Sequence, residues 1–391
     1  MNEQRVCIIR RAYYPAESHV RRNAETLVAS GYAVDVVCLK GQGEVPHEII
    51  DGVMVYRLPL RTHRSGLLRY FFEYVSFFLL SLLKVSRLHV QHCYTVVEAD
   101  SMPDFLVFAA FLPRLTGARL ILYLFESMPE MWAQRLRAPT ENWTVRLLSL
   151  QETMSCGFAD IVICCHEMAR DALVRRGIPE HKIIVILNVP DEQVFRQGIC
   201  NHAPDDGLFR LIQHGTITEN YGIQVVLQAL KLLNPKLPIL FDIVGDGEYR
   251  PVLESRVDEL DLQGRVTFHG FVSRERLLEL LCRANVGVVP MLFEYQSPNK
   301  MFEFVALGKP VITSDRQTFL QHFNEHEVLY FSTGDAHDLA RAVQEAFNCP
   351  ERMKIQAGRA TKRYESYRWQ EMSKRYLGIY EKLFANRKAQ L

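Results

Sequence analysis

Lys300 and Glu303 are the residues whose types and spacing most directly suggest chemistry in this sequence. They lie in Ser297–Asp315, SPNKMFEFVALGKPVITSD. Pro298 and Asn299 open the segment, a short helical pattern follows, Gly308 and Pro310 stop it, and an apolar β run closes it. That order predicts a helix running into a parallel strand of a doubly wound sheet. A spacing of three places Lys300 and Glu303 on one face of the helix's first turns. An ammonium beside the positive end of a helix suits an anion, and a nearby carboxylate suits a diol. An ordinary surface ion pair accounts for the same two residues equally well.

Two further strand ends in the same half of the chain carry glycine: His214–Gly215–Thr216 and Gly245–Asp246–Gly247. Glycine lets a phosphate or base approach the backbone, and the helix that follows offers free N–H groups. Three such ends in order favour a nucleotide over plain turns. In the first half, acidic groups collect past strand ends, at Asp100, Asp104, Glu126 and Glu130, where open α/β sheets place their sites. Nothing in their spacing selects a metal, and no metal site is read. His19, Arg21 and Arg22 at the first β–α junction suit either substrate contact or a helix's solvent face.

The elements that must position these residues follow a β–α rhythm that occurs twice. The chain has 391 residues, 48% hydrophobic and 23% charged, enough for two cores of ordinary domain size. Strands are expected at RVCIIRR, YAVDVVCL, GVMVYRLP, YTVVEAD, ARLILYLF, ADIVICC and IIVILN, with helices at 18–30, 67–83, 103–115, 141–156 and 166–175. Residues 189–207, rich in Pro, Asp, Asn and Gly, read as an interdomain linker. The rhythm then restarts with LFRLIQHG, PILFDIVG, VTFHG, VGVVP and VLYF, and helices at 223–233, 273–283, 299–307 and 335–347. The expected architecture is α/β: a Rossmann-like domain at 1–188, a second at 208–360, and closing helices at 361–391 packing back across both.

Lys plus Arg total 46 against 45 Asp plus Glu, so no net charge draws the chain to nucleic acid. Nine scattered cysteines without a CxxC pair, in a chain long enough to need no staples, predict reduced thiols. The N-terminus enters a strand almost at once, which leaves no room for a signal peptide. Residues 67–83, LLRYFFEYVSFFLLSLL, are strongly apolar, but Arg69 and Glu73 interrupt them well short of the roughly 20 residues a span needs. Arg57, Arg61, Arg64, Lys84 and Arg87 flank the run, as suits a helix lying on an anionic membrane surface. A helix buried against the sheet fits as well. The expected location is cytoplasmic, peripheral on the inner face of the plasma membrane.

With these residues in view, the whole chain resembles a bacterial family 4 glycosyltransferase, a retaining enzyme of the two-domain GT-B architecture that serves polysaccharide and glycolipid assembly. PNKMFEFVALGKPVI carries most of the resemblance, joined by HGTITENYGIQVVLQAL, IVGDGEY, MPDFLVFAAFLPRLTGARLILYL and RGIPEHKIIVILNVPDEQVF. The resemblance implies an acceptor-binding first domain, a nucleotide-sugar-binding second domain, and no tightly bound cofactor. It implies a nucleoside-diphosphate sugar as donor and a glycan or lipid-linked acceptor. Glu303 would hold the ribose hydroxyls, and Ser297, Asn299 and Lys300 the diphosphate and sugar, with Gly215, Thr216, Gly245, Asp246 and Gly247 around them. Lys300 would neutralise the leaving group, and Glu126 or Asp100 would orient the acceptor. Several positions depart from the family pattern. Tyr295 stands where a paired carboxylate is frequent, with Glu294 one place off. Thr216 and Asn220 or Tyr221 stand where phosphate-binding Arg and Lys are common. Tyr123 and Phe125 replace an acid and a histidine, and Asp100 stands where histidine is frequent. An inactive binding relative and a sugar-nucleotide epimerase of the same fold are the alternatives.

Overall fold

Four consecutive residues of the first strand, Val6 to Ile9, are fully buried, because helices cover both faces of the sheet they enter. The computed structural model describes residues 4–60, 67–135, 142–192, 194–195, 198–200, 206–295 and 297–388. Eight strands form the first sheet: β1 (Arg5–Tyr13), β2 (Ala33–Leu39), β3 (His47–Ile50), β4 (Val53–Leu58), β5 (Val96–Asp100), β6 (Arg119–Leu124), β7 (Ile161–Cys164) and β8 (Ile183–Val185). Their order is β3-β4-β2-β1-β5-β6-β7-β8, parallel except for the β3–β4 pair. The second sheet holds β9 (Phe209–His214), β10 (Ile239–Val244), β11 (Val266–Gly270), β12 (Val286–Val289), β13 (Val311–Ser314) and β14 (Leu329–Phe331). It is wholly parallel, in the order β11-β10-β9-β12-β13-β14. The expected α/β class with two Rossmann-like parallel sheets is what the chain adopts.

One compact unit contains residues 1–188 and 370–391, and the other contains 189–369. The described part of 189–207 therefore groups with the second unit, and the closing segment divides. Helix Pro350–Tyr364 lies in the second unit, whereas helix Trp369–Lys388 lies, from residue 370 on, in the first. A buried carboxylate holds that last helix to the first sheet. Glu98 on β5, fully buried, accepts from Tyr380 Oη at 2.7 Å and lies 3.0 Å from Tyr376 Oη. Burial pushes its carboxyl up to about 7, and the tyrosine hydrogen bonds pull the other way.

Several elements differ from expectation. β3 pairs with β4 through the two-residue turn Asp51–Gly52, both at positive φ, a Asp-Gly hairpin signal that the short HEII strand obscures. Residues 103–115 form a 3-10 segment, Asp104–Ala110, before helix Phe111–Leu115. Helix Met128–Arg135 begins inside the expected ESMPE loop, and helix Arg250–Glu259 fills a stretch where no element is expected. The apolar helix extends to Leu67–His92. Arg57 is buried and paired with Glu44 at 3.0 Å and Glu48 at 2.6 Å, so it does not flank a membrane helix; Arg61 and Arg64 lie outside the described residues. Reduced thiols are expected throughout, yet Cys200 and Cys282 form a disulfide across 82 residues, a pairing set by proximity in the second unit. The remaining seven cysteines are free.

Tyr380→Phe removes the closest donor from Glu98. A loss of about 1–3 kcal/mol is expected from urea unfolding. The loss should be larger at about pH 8 than at about pH 5, because the hydrogen bond favours the ionised form, which prevails only above the raised folded value.

Candidate functional site

In the second sheet, the chain leaves β9 toward β10 on one side and returns to β12 on the other. This reversal opens a crevice past the C-terminal ends of β9 and β12, the place where doubly wound sheets bind ligands. The three segments expected to converge, two of them bearing glycine, do meet there. Gly215 N donates to Val244 O at 2.8 Å, Ile217 N to Asp246 O at 2.9 Å, and Leu292 N to Asn220 O at 2.9 Å. Gly215 and Gly245 hold φ of +111° and +129°, values that side chains rarely adopt. A Cβ on Gly245 would overlap the carbonyl oxygen of Gly215, and one on Gly215 would sit 2.6 Å from Lys300 Cε.

Lys300 stands in the first turn of helix Asn299–Ala306. Its Nζ is buried with no hydrogen-bond acceptor among the described residues, and lies 3.1 Å from the centroid of the Tyr221 ring. Burial pulls its ammonium down to about 7, against the opposing charge of Glu303. Glu303 Oε2 is 3.0 Å from His214 Nε2, and the His214 ring meets Phe304 edge-on with centroids 5.2 Å apart. The expected sharing of one helix face is therefore present, but the bland surface ion pair is not. Lys300 points to the Gly215 turn, and Glu303 to His214. Ser297 Oγ donates to Asn299 Oδ1 at 2.7 Å beside the first N–H groups of this helix, which have no intrahelical acceptor.

The remaining expected residues are spread around this centre. Thr216 and Asp246 are exposed, and Asp246 Oδ1 accepts from Gly247 N at 2.8 Å. Glu294 is engaged with Arg316 Nη1 at 3.3 Å and accepts from Thr318 N at 3.2 Å. Sequence reasoning does not single out Arg316, and it places Tyr221 only as a substitute for a cation. The run HGTITENYG contains no signal that the Tyr221 ring would lie against an amine.

The first sheet has its own reversal, between β1 and β5. Asp100, at the end of β5, is fully buried, and its carboxyl is held well above the usual range by burial and by the charge of Glu98, with Arg10 opposing. The Arg10 guanidinium lies 4.5 Å from the Phe125 ring centroid, and Tyr123 and Phe125 stack at 4.3 Å. His19 faces Phe125 at 5.7 Å; burial, then the charges of Arg22 and Arg10, pull its imidazole down to about 3. Glu126 is exposed beside them. Arg10 is missed by sequence reasoning, although its place at the end of a buried strand marks it. Lys300 thus lies in one unit, and Asp100 and Glu126 in the other. Among the described residues no group of three or more side chains could hold a metal ion.

Comparison with known proteins bears on both halves. Residues 16–188 match the glycosyl transferase 4-like domain, and residues 200–363 match glycosyl transferases group 1. The protein is a glycosyltransferase. An uncharacterized glycosyltransferase of Methanocaldococcus jannaschii is 23% identical over 384 residues, covering 93% of each chain. Among solved structures, sucrose-phosphate synthase of Thermosynechococcus elongatus superposes with a TM-score of 0.80 at 20% identity, over 98% of this glycosyltransferase and 100% of that chain. HepE of Anabaena, solved in complex with UDP, gives 0.72 at 14% identity, over 97% and 100%.

Gly245→Ala is expected to cost about 2–4 kcal/mol of stability, since the new methyl meets backbone and the φ is strained. Thermal unfolding of the variant checks this, with Gly264→Ala, where a Cβ meets nothing, as the neutral control.

Proposed function

We propose that this glycosyltransferase transfers a sugar from a nucleoside-diphosphate sugar to a hydroxyl of a membrane-linked glycan or glycolipid, with retention at the anomeric carbon. The observation that carries the donor reading is the Lys300 amine, buried without an acceptor among the described residues, beside the Gly215 turn at a topological switch point. Burying a cation is costly unless an anion joins it, and a diphosphate supplies that partner. The UDP and UDP-glucose complexes of Anabaena HepE, a protein of the same fold, support this reading.

In this scheme Lys300 and the first N–H groups of helix Asn299–Ala306 stabilise the charge that builds on the departing diphosphate. Glu303, oriented by His214, accepts from the ribose hydroxyls. Ser297, Asn299, Thr216 and the Gly245–Gly247 turn border the donor, and Glu294 braces the loop through Arg316. The acceptor is assigned to the first unit, with Glu126 and Asp100 orienting its hydroxyl. Its proton passes to a donor phosphate oxygen or to Glu126 as the new glycosidic bond replaces the bond to the leaving phosphate. Asp100, whose carboxyl is pushed up by burial and by the charge of Glu98, is biased toward a hydrogen-bond-donating role.

Of the expected contact region 57–87, helix Leu67–His92 provides the membrane contact in this reading, on the cytoplasmic face. No helix among the described residues is long and apolar enough to cross a membrane. One feature pulls against a cytoplasmic setting: the Cys200–Cys282 disulfide, a bond rarely kept in reducing compartments.

Calorimetric titration with UDP, GDP, ADP and CMP tests the donor site. Lys300→Ala is expected to weaken nucleoside-diphosphate binding about 10- to 100-fold, and Glu303→Ala about 10-fold. Unaltered affinity in both variants would put the donor elsewhere. Wild-type affinity should fall as pH rises through about 7, where the free-site ammonium loses its proton, and Lys300→Ala should lose that dependence. Product anomeric configuration, read by NMR, decides retention. Nucleotide binding without turnover on any acceptor would instead support a binding-only relative, the reading suggested by Thr216 and Tyr221 at the phosphate side.

A further inference from the structure

Three segments of the first unit lie on one face of its sheet. The connections from β4 to β5, β5 to β6 and β6 to β7 all run in the same direction across it, and right-handed crossovers place such connections on a common side. They are helix Leu67–His92, the segment Asp104–Leu115 and helix Trp143–Phe158. Ring contacts join them: Phe78 to Phe105 at 5.7 Å and Phe108 to Phe158 at 4.9 Å.

The outer side of this layer is apolar. Phe72, Leu79, Leu83 and Val90, spaced seven, four and seven apart, form a stripe along the first helix, opposite buried Phe77, Ser81 and Val85. Trp143, Leu147, Leu150 and Met154, spaced four, three and four apart, form a second on the other helix. Phe111 and Leu115 are exposed between the two. Val90 is 73% and Trp143 74% exposed, values that a closed core never leaves on large side chains. Charge on this face has one sign. The described exposed positions of the two helices include Arg69, Arg87 and Arg146 and no acid; Glu73 is paired with Arg11 at 2.6 Å and with Arg69 at 3.8 Å, and Glu152 is buried against Arg176.

We propose that these three segments form one docking platform for an anionic lipid bilayer, with Trp143 and the two stripes entering the headgroup–acyl boundary. Apolar stripes fringed by arginine and free of acid complement a negatively charged interface. They do not complement themselves, since a two-fold dimer through this face would oppose arginine to arginine. The proposal deepens the membrane-linked acceptor reading. It extends the contact beyond helix Leu67–His92 to a helix some 60 residues later in the chain, on the far side of the 3-10 segment.

Co-sedimentation of the full chain tests it, using vesicles of phosphatidylcholine alone and of phosphatidylcholine with phosphatidylglycerol in equal parts. Binding to the mixed vesicles is expected to be about tenfold stronger or more. Leu79→Glu/Leu83→Glu and Leu147→Glu/Leu150→Glu should each lower it about tenfold, with unchanged thermal midpoints because the replaced side chains are exposed. Should either variant unfold, Arg87→Gln/Arg146→Gln serves instead, with a loss of about fivefold per charge on anionic vesicles alone. The proposal is overturned if folded wild type does not pellet with mixed vesicles, if the helix Trp143–Phe158 variant pellets like wild type, or if the stripes govern a concentration-dependent dimer instead. No donor or acceptor is present in this assay, so its failure is distinct from a failure of the transferase reading.

Discussion

Desolvation of a single ammonium organises the second unit. Lys300 is drawn inward by its place in the first turn of helix Asn299–Ala306, and its stem runs against the Gly215 turn where any Cβ would collide with it. An aromatic face, Tyr221, offers the charge a weak partner in place of a hydrogen-bond acceptor. The crevice therefore holds a cation that gains most when an anion arrives. The interlaced turns after β9 and β10 keep that place open to a ligand, since their glycines have no side chains to fill it.

The first unit uses the opposite charge. Glu98 and Asp100 lie on the same strand, both buried, and both favour their neutral forms. The hydroxyls of Tyr376 and Tyr380 make Glu98 a structural anchor for the C-terminal helix, so a charge cost in the strand is offset by tying the chain's end to the sheet. Asp100, two residues on, emerges at the strand's C-terminal end, where Arg10 faces it. Fold and chemistry thus share one strand. The aromatic pair Tyr123–Phe125 beside them gives this site a more apolar lining than acids would.

Two cationic arrangements in the molecule differ in kind. Arg176 is held between Glu130 and Glu152 and serves packing, with Glu152 pushed up to about 8 by burial against that pair. Lys300 has no such partner among the described residues. A satisfied cation holds elements together, whereas an unsatisfied one at a strand end is available to a ligand.

Periodicity and punctuation alone determined the β–α rhythm, the break after Asn188, and the helix carrying Lys300 and Glu303, because each depends on residues close in sequence. The glycine-bearing ends of β9 and β10 were legible for the same reason, although only a parallel sheet brings residues 215, 245 and 300 to one crevice. Tertiary structure alone decided the rest. Whether Lys300 pairs with Glu303 or turns inward depends on Gly215 and Tyr221, some 80 residues away in sequence, and Glu303 finds His214 by the same closure. The 3-10 course of Asp104–Ala110, the Cys200–Cys282 bond and the burial of Arg57 against Glu44 and Glu48 are long-range outcomes of packing. So is the second apolar stripe, Trp143 to Met154. Its spacing resembles that of a core face, and only the surrounding elements leave it uncovered.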